Sequence, residues 1–269
     1  MRDAVKLLAV FPHPDDETHG LGSTFARYSV EGVETYLVCA TRGERGWYDS
    51  EGPDPGLEGV ARIREAELRC AVENLGLHQV SFLDYIDGDV DQADPAQIIG
   101  KIVTQIRCIK PQVVVTFSPD GNYGHPDHIA LSQFTNAALV CAADNNFVDA
   151  DGRPPHRVLK FYYMVDSVDI VGAANEAFGG ISMEVDGVTR HHIGWEDWQI
   201  TTRLNNNKYL DTVQTAIHCH KSQLPGYGRI AEWSLAELEK VYGSGNFYRA
   251  FSLVNGERKA ETDLFDGLR

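Results

Sequence analysis

Apolar and polar positions along this chain fall into short blocks whose period changes in a regular order. The run Lys6-Leu7-Leu8-Ala9-Val10-Phe11 has the length of a buried strand and stops at a proline. An amphipathic segment opened by Gly20-Leu21-Gly22-Ser23-Thr24 and reaching about Ser29 predicts a first helix, and Glu34 to Ala40 a second strand. Ala61 to Leu75 places Ile63, Leu68, Ala71, Val72 and Leu75 at helical spacing and ends at Gly76, a residue suited to the left-handed turn that closes a helix. Val80 to Tyr85 predicts a third strand and Ile98 to Ile109 a helix. After Pro111, the run Gln112-Val113-Val114-Val115-Thr116-Phe117 is the clearest strand of all. A helix to about Ala143 and a strand over Lys160 to Val165 continue the alternation. Strands separated by single helices predict an α/β fold with a doubly wound, mostly parallel sheet.

From about Ala173 the pattern changes. Ile181 to Val185 and Thr189 to Ile193 flank Asp186-Gly187, a hairpin signal, and Asn205 to His220 reads as another helix. Residues 1–269 are therefore expected to form one domain, a core to about residue 172 with an appended α+β C-terminal lobe over 173–269. The polar stretches Trp47 to Gly59 and Asp84 to Asp94 read as loops, the first placed over whatever site exists.

Charge narrows the partners. The 39 acids against 24 bases give a formal net charge of −15, which repels nucleic acid and anionic membranes but suits a cation. No apolar run reaches membrane-spanning length, and the N-terminal residues lead into the first strand without a leader pattern, so a soluble, cytoplasmic protein is expected. The five cysteines are odd in number and lack CxxC spacing. They are read as small core residues in a reducing compartment, without a disulfide framework.

The chemistry concentrates where strands end. The first strand runs into His13-Pro14-Asp15-Asp16-Glu17, and three adjacent carboxylates near a protein interior call for a cation or for hydrogen-bond donors. The fourth strand runs into His125-Pro126-Asp127-His128. In a doubly wound sheet these two strands are commonly neighbours, so both clusters would face one crevice. His13 and Asp16, three residues apart, can point at one spot, and His128 can join them from the opposite wall. Two imidazoles and a carboxylate leave a coordination position open for water, as in a catalytic zinc site, with Asp15 the candidate base. The same triad accepts Fe²⁺ or Co²⁺ and also describes non-haem iron oxygenases. A non-catalytic sugar-binding module on this fold is a further alternative. Glycines Gly20 and Gly22 lack the third glycine of a dinucleotide fingerprint and are read as helix–strand packing. Glu17 is read as a supporting or capping acid, and His19, His191 and His192 as structural or exposed.

The pair Pro12-His13-Pro14-Asp15-Asp16-Glu17 and Gly124-His125-Pro126-Asp127-His128 resembles the motifs of the zinc-dependent N-acetylglucosaminyl deacetylases, the PIG-L and LmbE-like family, which includes the deacetylases of mycothiol and bacillithiol biosynthesis. The resemblance implies a Rossmann-like fold and a zinc ion on His13, Asp16 and His128, with Asp15 as general base. It implies His125 as a second catalytic histidine oriented by Asp127, and Tyr123 as a group that polarises the acetyl carbonyl. It further implies substrate contacts from Glu44, Arg64, Asp87 and, through a His-x-Ser-Gln element, His220. Taken alone, Tyr123 is an ordinary loop aromatic, Glu44 and Arg64 are surface charges and Asp87 is a turn aspartate. The substrate implied is a small N-acetylated amino sugar or conjugate, or a larger amide of a thiol-sugar conjugate. A homo-oligomer is compatible with this reading.

Overall fold

A computed structural model describes residues 4–48, 52–254 and 259–269, with only the backbone of Phe178. In chain order its elements are β1 (Lys6–Phe11), α1 (Asp16–Val30), β2 (Glu34–Cys39), α2 (Leu57–Leu75), β3 (Gln79–Phe82), α3 (Pro95–Ile109), β4 (Val113–Phe117), a distorted turn α4 (Gly121–Gly124), α5 (Pro126–Ala143) and β5 (Lys160–Met164). They are followed by α6 (Val168–Phe178), β6 (Ser182–Val185), β7 (Val188–His191), β8 (Thr202–Asn205), α7 (Leu210–Cys219), α8 (Leu235–Tyr242) and β9 (Ser244–Ser252). Seven strands form one sheet in the order β3-β2-β1-β4-β5-β9-β8. The pairs among β1 to β5 are parallel, while β9 and β8 run antiparallel at the far edge.

Strand alternation divides the core. Leu7, Ala9 and Phe11 of β1 and Val113, Val115 and Phe117 of β4 face α1, α2 and α7, and Leu8, Val10 and Val114 face α3 and α5 on the other side. Both faces are covered, which is why these strands read as continuous apolar runs. Helix α3 shows how docking is encoded. Asp94 accepts hydrogen bonds from Ala96 N and Gln97 N, Pro95 occupies the first helical position, and Ile98, Ile102, Val103 and Ile106 are fully buried. Each such side chain contributes roughly 1.5–3 kcal/mol of burial free energy, enough to hold the helix on the sheet.

The C-terminal residues attach to the core more closely than an appendage: β9 pairs with β5 and carries β8 into the main sheet. The β6–β7 hairpin turns at Asp186 and Gly187, both with positive φ, as its sequence predicts. Helix α1 begins at Asp16, not Gly20, so two of the acids expected ahead of the helix, Asp16 and Glu17, lie in its first turn, next to the positive end of its dipole. The segment expected as a helix from Asn205 starts its α-helix only at Leu210. Part of the Trp47 to Gly59 loop lies outside the described residues, and its last three residues belong to α2. Among the described residues no helix is long and apolar enough to cross a membrane.

The cysteine reading needs correction. Cys70 of α2 and Cys219 of α7 form a disulfide with Cα atoms 5.7 Å apart, and of the three free cysteines only Cys39 is buried. The partners are 149 residues apart in sequence, and only the packing of α7 on α2 brings them together. The Cys70→Ser protein is expected to lose about 2–4 kcal/mol of stability, the typical contribution of a disulfide. Denaturant unfolding with and without reductant checks this: reductant should lower the midpoint of the wild type and leave that of the variant in place.

Candidate metal centre and catalytic cavity

The turn after β1 is set by its backbone. Pro12 O accepts from Thr41 N at 2.9 Å and from Thr41 Oγ1 at 2.8 Å, and His13 N donates to Asp16 Oδ2 at 2.8 Å. Asp15 stands at the N-cap of α1 with φ 110°, a conformation that costs a non-glycine residue about 1–3 kcal/mol. Its side chain makes no cap. Instead its Oδ2 accepts from Arg64 Nη2 at 2.8 Å and from Tyr227 Oη at 2.6 Å, while Oδ1 has no hydrogen bond among the described residues and the residue lines the cavity. Strain at Asp15 thus turns a helix-capping position into a carboxylate presented to the cavity.

The turn after β4 supplies the facing wall. Gly121 has φ 69°, and a Cβ there would lie 2.8 Å from Ile129 Cγ1, so only glycine fits. Asn122 follows at φ 63°, held by its N–H to Asp120 Oδ1 at 2.9 Å. Tyr123, His125 and His128 then line a cavity of ≈ 540 Å³ together with His13, Asp15 and Asp16.

Ligand atoms of His13, Asp16 and His128 all lie within 4.8 Å of one another. His13 Nδ1 is 3.5 Å from Asp16 Oδ2, and His128 Nε2 is 3.6 Å from Asp16 Oδ1. His128 stacks on Phe117 with ring centroids 4.0 Å apart, and among the described residues neither of its buried nitrogens has a partner in hydrogen-bond geometry. A buried imidazole left unpaired is what a metal ligand looks like without its ion. On the far side of His13, Nε2 meets Asp127 Oδ2 and Asp87 Oδ1, each at 3.1 Å, so that Nδ1 is turned to the triad, a carboxylate–histidine arrangement. His13, His125 and Asp127 offer a second convergent group. The Asp127 carboxylate, however, already takes Gly88 N at 2.7 Å and Val90 N at 3.1 Å, so the first group fits a metal better.

Protonation follows the same charge balance. Burial pushes the Asp16 carboxyl up to about 6, even though His13 favours its anion. Burial works against a charged His13, but hydrogen bonds to Asp127, Asp16 and Asp87 hold its pKa well above the usual value. A proton on the triad stands in for positive charge that a divalent cation would bring. Asp15 is opposite in sense to Asp16: burial opposes its charge, yet the Arg64 guanidinium, with His220, His19 and the Tyr227 hydroxyl, keeps it below the usual range. Burial, with His13 nearby, lowers His125 to about 4.

Asp127 is placed differently from the expectation that it orients His125. Its carboxylate holds His13, and it is the Asp127 backbone N–H that donates to His125 Nδ1, at 3.1 Å. In neutral His125 the ring proton is therefore on Nε2. Arg64 and Asp87 line the cavity, with Arg64 spanning Pro14 O, Gly43 O and Asp15. Glu44 and His220 do not line it. Glu44 accepts from Asp87 N at 3.0 Å and from Arg42 N, bracing two loops, and fully buried His220 places Nε2 2.7 Å from Glu17 Oε1. His220 opens a segment that docks through Ser222 on Glu67 and Gln223 on Gly46 O before delivering Tyr227 to Asp15.

Tyr227 has no signal in the sequence: it sits among turn-forming residues, 212 positions from its partner. His19 and His192, set aside as structural or exposed, both line the cavity. His19 Nδ1 is 2.8 Å from Tyr242 Oη and its ring lies 4.4 Å from that of Tyr227.

Residues 8–139 match the PIG-L family, described as GlcNAc-PI de-N-acetylase. A 1D-myo-inositol 2-acetamido-2-deoxy-alpha-D-glucopyranoside deacetylase of Kineococcus radiotolerans is 37% identical over 98% of this chain and 83% of its own. A mycothiol S-conjugate amidase of Streptomyces coelicolor is 27% identical over 100% and 99%. Among solved structures, the 4-carboxy-2-hydroxymuconate hydratase GalB of Pseudomonas putida superimposes with TM-score 0.69 at 18% identity, covering 94% of this chain and 99% of that one. The N,N'-diacetylchitobiose deacetylase of Pyrococcus horikoshii does so with TM-score 0.67 at 22% identity, covering 92% and 84%. A hydratase and a deacetylase on one fold mean that the fold alone does not specify the reaction. Similarity to the Kineococcus protein over nearly the whole chain, with the match at 8–139, places this chain in the PIG-L family.

Proposed function

We propose that this protein is a zinc-dependent N-deacetylase that hydrolyses the acetamide of an N-acetylglucosaminide. The observation that carries the proposal is the convergence of His13, Asp16 and His128 beside the Asp15 carboxylate. Family membership and the activities named for the relatives support the substrate class. A zinc ion held by the triad would polarise the acetamide carbonyl and lower the pKa of water towards ~7.

The protein groups divide the remaining work. Asp15 Oδ1 accepts the proton of the attacking water and returns it to the departing amine. His125 Nε2–H is the donor left over once Nδ1 has accepted the Asp127 N–H, and it serves the oxyanion that develops from the carbonyl oxygen. The Tyr123 hydroxyl is a second donor. Burial and the surrounding carboxylates push its pKa well above the usual phenol value, so it keeps its proton. Arg64 and Tyr227 fix the direction of Asp15, and Asp87 with Asp127 fixes His13.

A panel of N-acetylglucosamine conjugates assayed for free amine after zinc reconstitution tests the proposal. Amine release from at least one acetamido sugar is expected, and none from any member would contradict it. Tyr227→Phe removes one hydrogen bond from Asp15 and is expected to lower kcat about tenfold, the effect of about 1.4 kcal/mol, with KM little changed. Steady-state kinetics check this, and an unchanged kcat would remove Tyr227 from the positioning role.

A further inference from the structure

The two groups that bind Asp15 Oδ2 come from distant parts of the chain, and the elements that carry them are tied to each other covalently. Arg64 and Cys70 both belong to α2, while Cys219 closes α7 at the head of the segment that delivers Tyr227. Between the disulfide and Asp15 the same two parts meet again: the buried Glu67 carboxylate accepts from Ser222 N and from Ser222 Oγ, each at 2.7 Å. Arg64, Glu67 and Cys70 follow one another at three-residue intervals, roughly 9 Å of helix from first to last. Tyr227, Ser222 and Cys219 pair with them in the opposite chain direction, through a shared hold on Asp15, a hydrogen-bonded carboxylate and the disulfide. Arg64 and Tyr227 are thus the jaws of a clamp on Asp15, and the disulfide is its other end.

The bond is reachable from one side. Cys70 is exposed whereas Cys219 is buried, so a thiol approaching from solvent meets Cys70 first. Asn74 Nδ2 lies 3.5 Å from Cys219 Sγ, placed to donate to that sulfur as it departs. Loss of the bond does not by itself undock the helices, because Ala216 and Cys219 of α7 are buried in one cluster with Leu68, Ala71 and Leu75 of α2. The part it frees is the segment beyond Cys219, a 3-10 turn over Lys221–Tyr227 with Pro225 inside it, anchored by side-chain hydrogen bonds from Ser222 and Gln223.

We infer that the Cys70–Cys219 bond is a thiol-exchange site that sets the rate of the enzyme through the clamp on Asp15. One monothiol attacks Cys70 Sγ, forms a mixed disulfide there and expels Cys219 as a thiolate. A second monothiol attacks the mixed disulfide, frees Cys70 and departs joined to the first as their own disulfide. Two electrons pass from the monothiols to the protein bond, and the two thiol protons end on the two cysteines. With the bond intact, Tyr227 is held in register with Arg64 and Asp15 keeps one direction. With the bond reduced, the Tyr227 arm rests on noncovalent contacts alone. The inference rests on the deacetylase reading for its kinetic consequence, while the exchange itself is independent of that reading.

Mass spectrometry of the folded protein, quenched with acid after incubation with glutathione, reads the exchange. A glutathione adduct on Cys70 with a free Cys219 thiol is expected, and a bond that persists, or cysteines already free before glutathione is added, would overturn the site. Hydrogen–deuterium exchange gives a second readout independent of turnover: reduction is expected to speed exchange of residues 220–228 about tenfold and to leave β1 and β4 unchanged. Unchanged exchange at 220–228 would overturn the clamp. In steady-state kinetics, Cys70→Ser is expected to lower kcat about three- to tenfold with KM little changed, no more than removal of the Tyr227 hydroxyl does. In a Tyr227→Phe background the same substitution should cost nothing further, because the arm it frees no longer holds Asp15. An unchanged kcat in Cys70→Ser, or the same fall in both backgrounds, would overturn the link to Asp15. Glutathione exchange and faster deuterium uptake in a protein that deacetylates nothing would retain the thiol-exchange site and discard the deacetylase.

Discussion

The Asp15→Asn protein is expected to bind its metal normally and to lose deacetylase turnover by about 10³-fold, within the range for removal of a general base. Asparagine keeps the size of the side chain and an oxygen for the Arg64 and Tyr227 hydrogen bonds, but its amide cannot take up a proton. In the native site Arg64 and Tyr227 both bind Oδ2. Burial opposes ionisation of Asp15, and Arg64 overrides it, so the carboxylate enters the reaction as an anion. The substitution also leaves the buried Arg64 cation without its carboxylate, so stability and metal content must be measured beside kcat. A folded, metal-loaded variant within tenfold of the wild-type rate would show that the base lies elsewhere.

His128→Ala is expected to lose both turnover and metal. The imidazole is stacked between Phe117, at 4.0 Å, and His125, at 4.8 Å, and among the described residues its two nitrogens have no partner in hydrogen-bond geometry. Removing it leaves a cavity, so folding must be measured beside activity. The decisive readout is linkage: zinc should raise the thermal unfolding temperature of the wild type and leave that of His128→Ala nearly unmoved. An equal rise in both proteins would place the metal on other residues.

Much of this site was legible in the sequence because its parts are local. β1 and β4 are short apolar runs, each running into a His/Asp cluster, and the alternation of elements makes the two strands neighbours, as the β1–β4 register shows. What was not legible depends on packing between segments that carry no periodic signal. Tyr227 reaches Asp15 across 212 residues, His220 reaches Glu17 across 203, and Cys70 reaches Cys219 across 149. No spacing rule connects such pairs. Asp127 shows a subtler limit. Lying two residues after His125 and one before His128, it belongs by sequence to that motif, yet the backbone donors of Gly88 and Val90 draw its carboxylate to His13 on the opposite wall. The start of α1 was hidden for a related reason: three consecutive acids look like a loop until the strained φ of Asp15 and the helix dipole accommodate two of them in the first turn.

If the proposed function is right, amide hydrolysis depends on a metal held by His13, Asp16 and His128. The most direct test is a zinc titration of chelator-stripped protein, following free amine released from an N-acetylglucosaminide. Activity should be near zero without metal and should rise to a plateau at one equivalent of zinc per chain. Full turnover by the stripped protein would contradict the account.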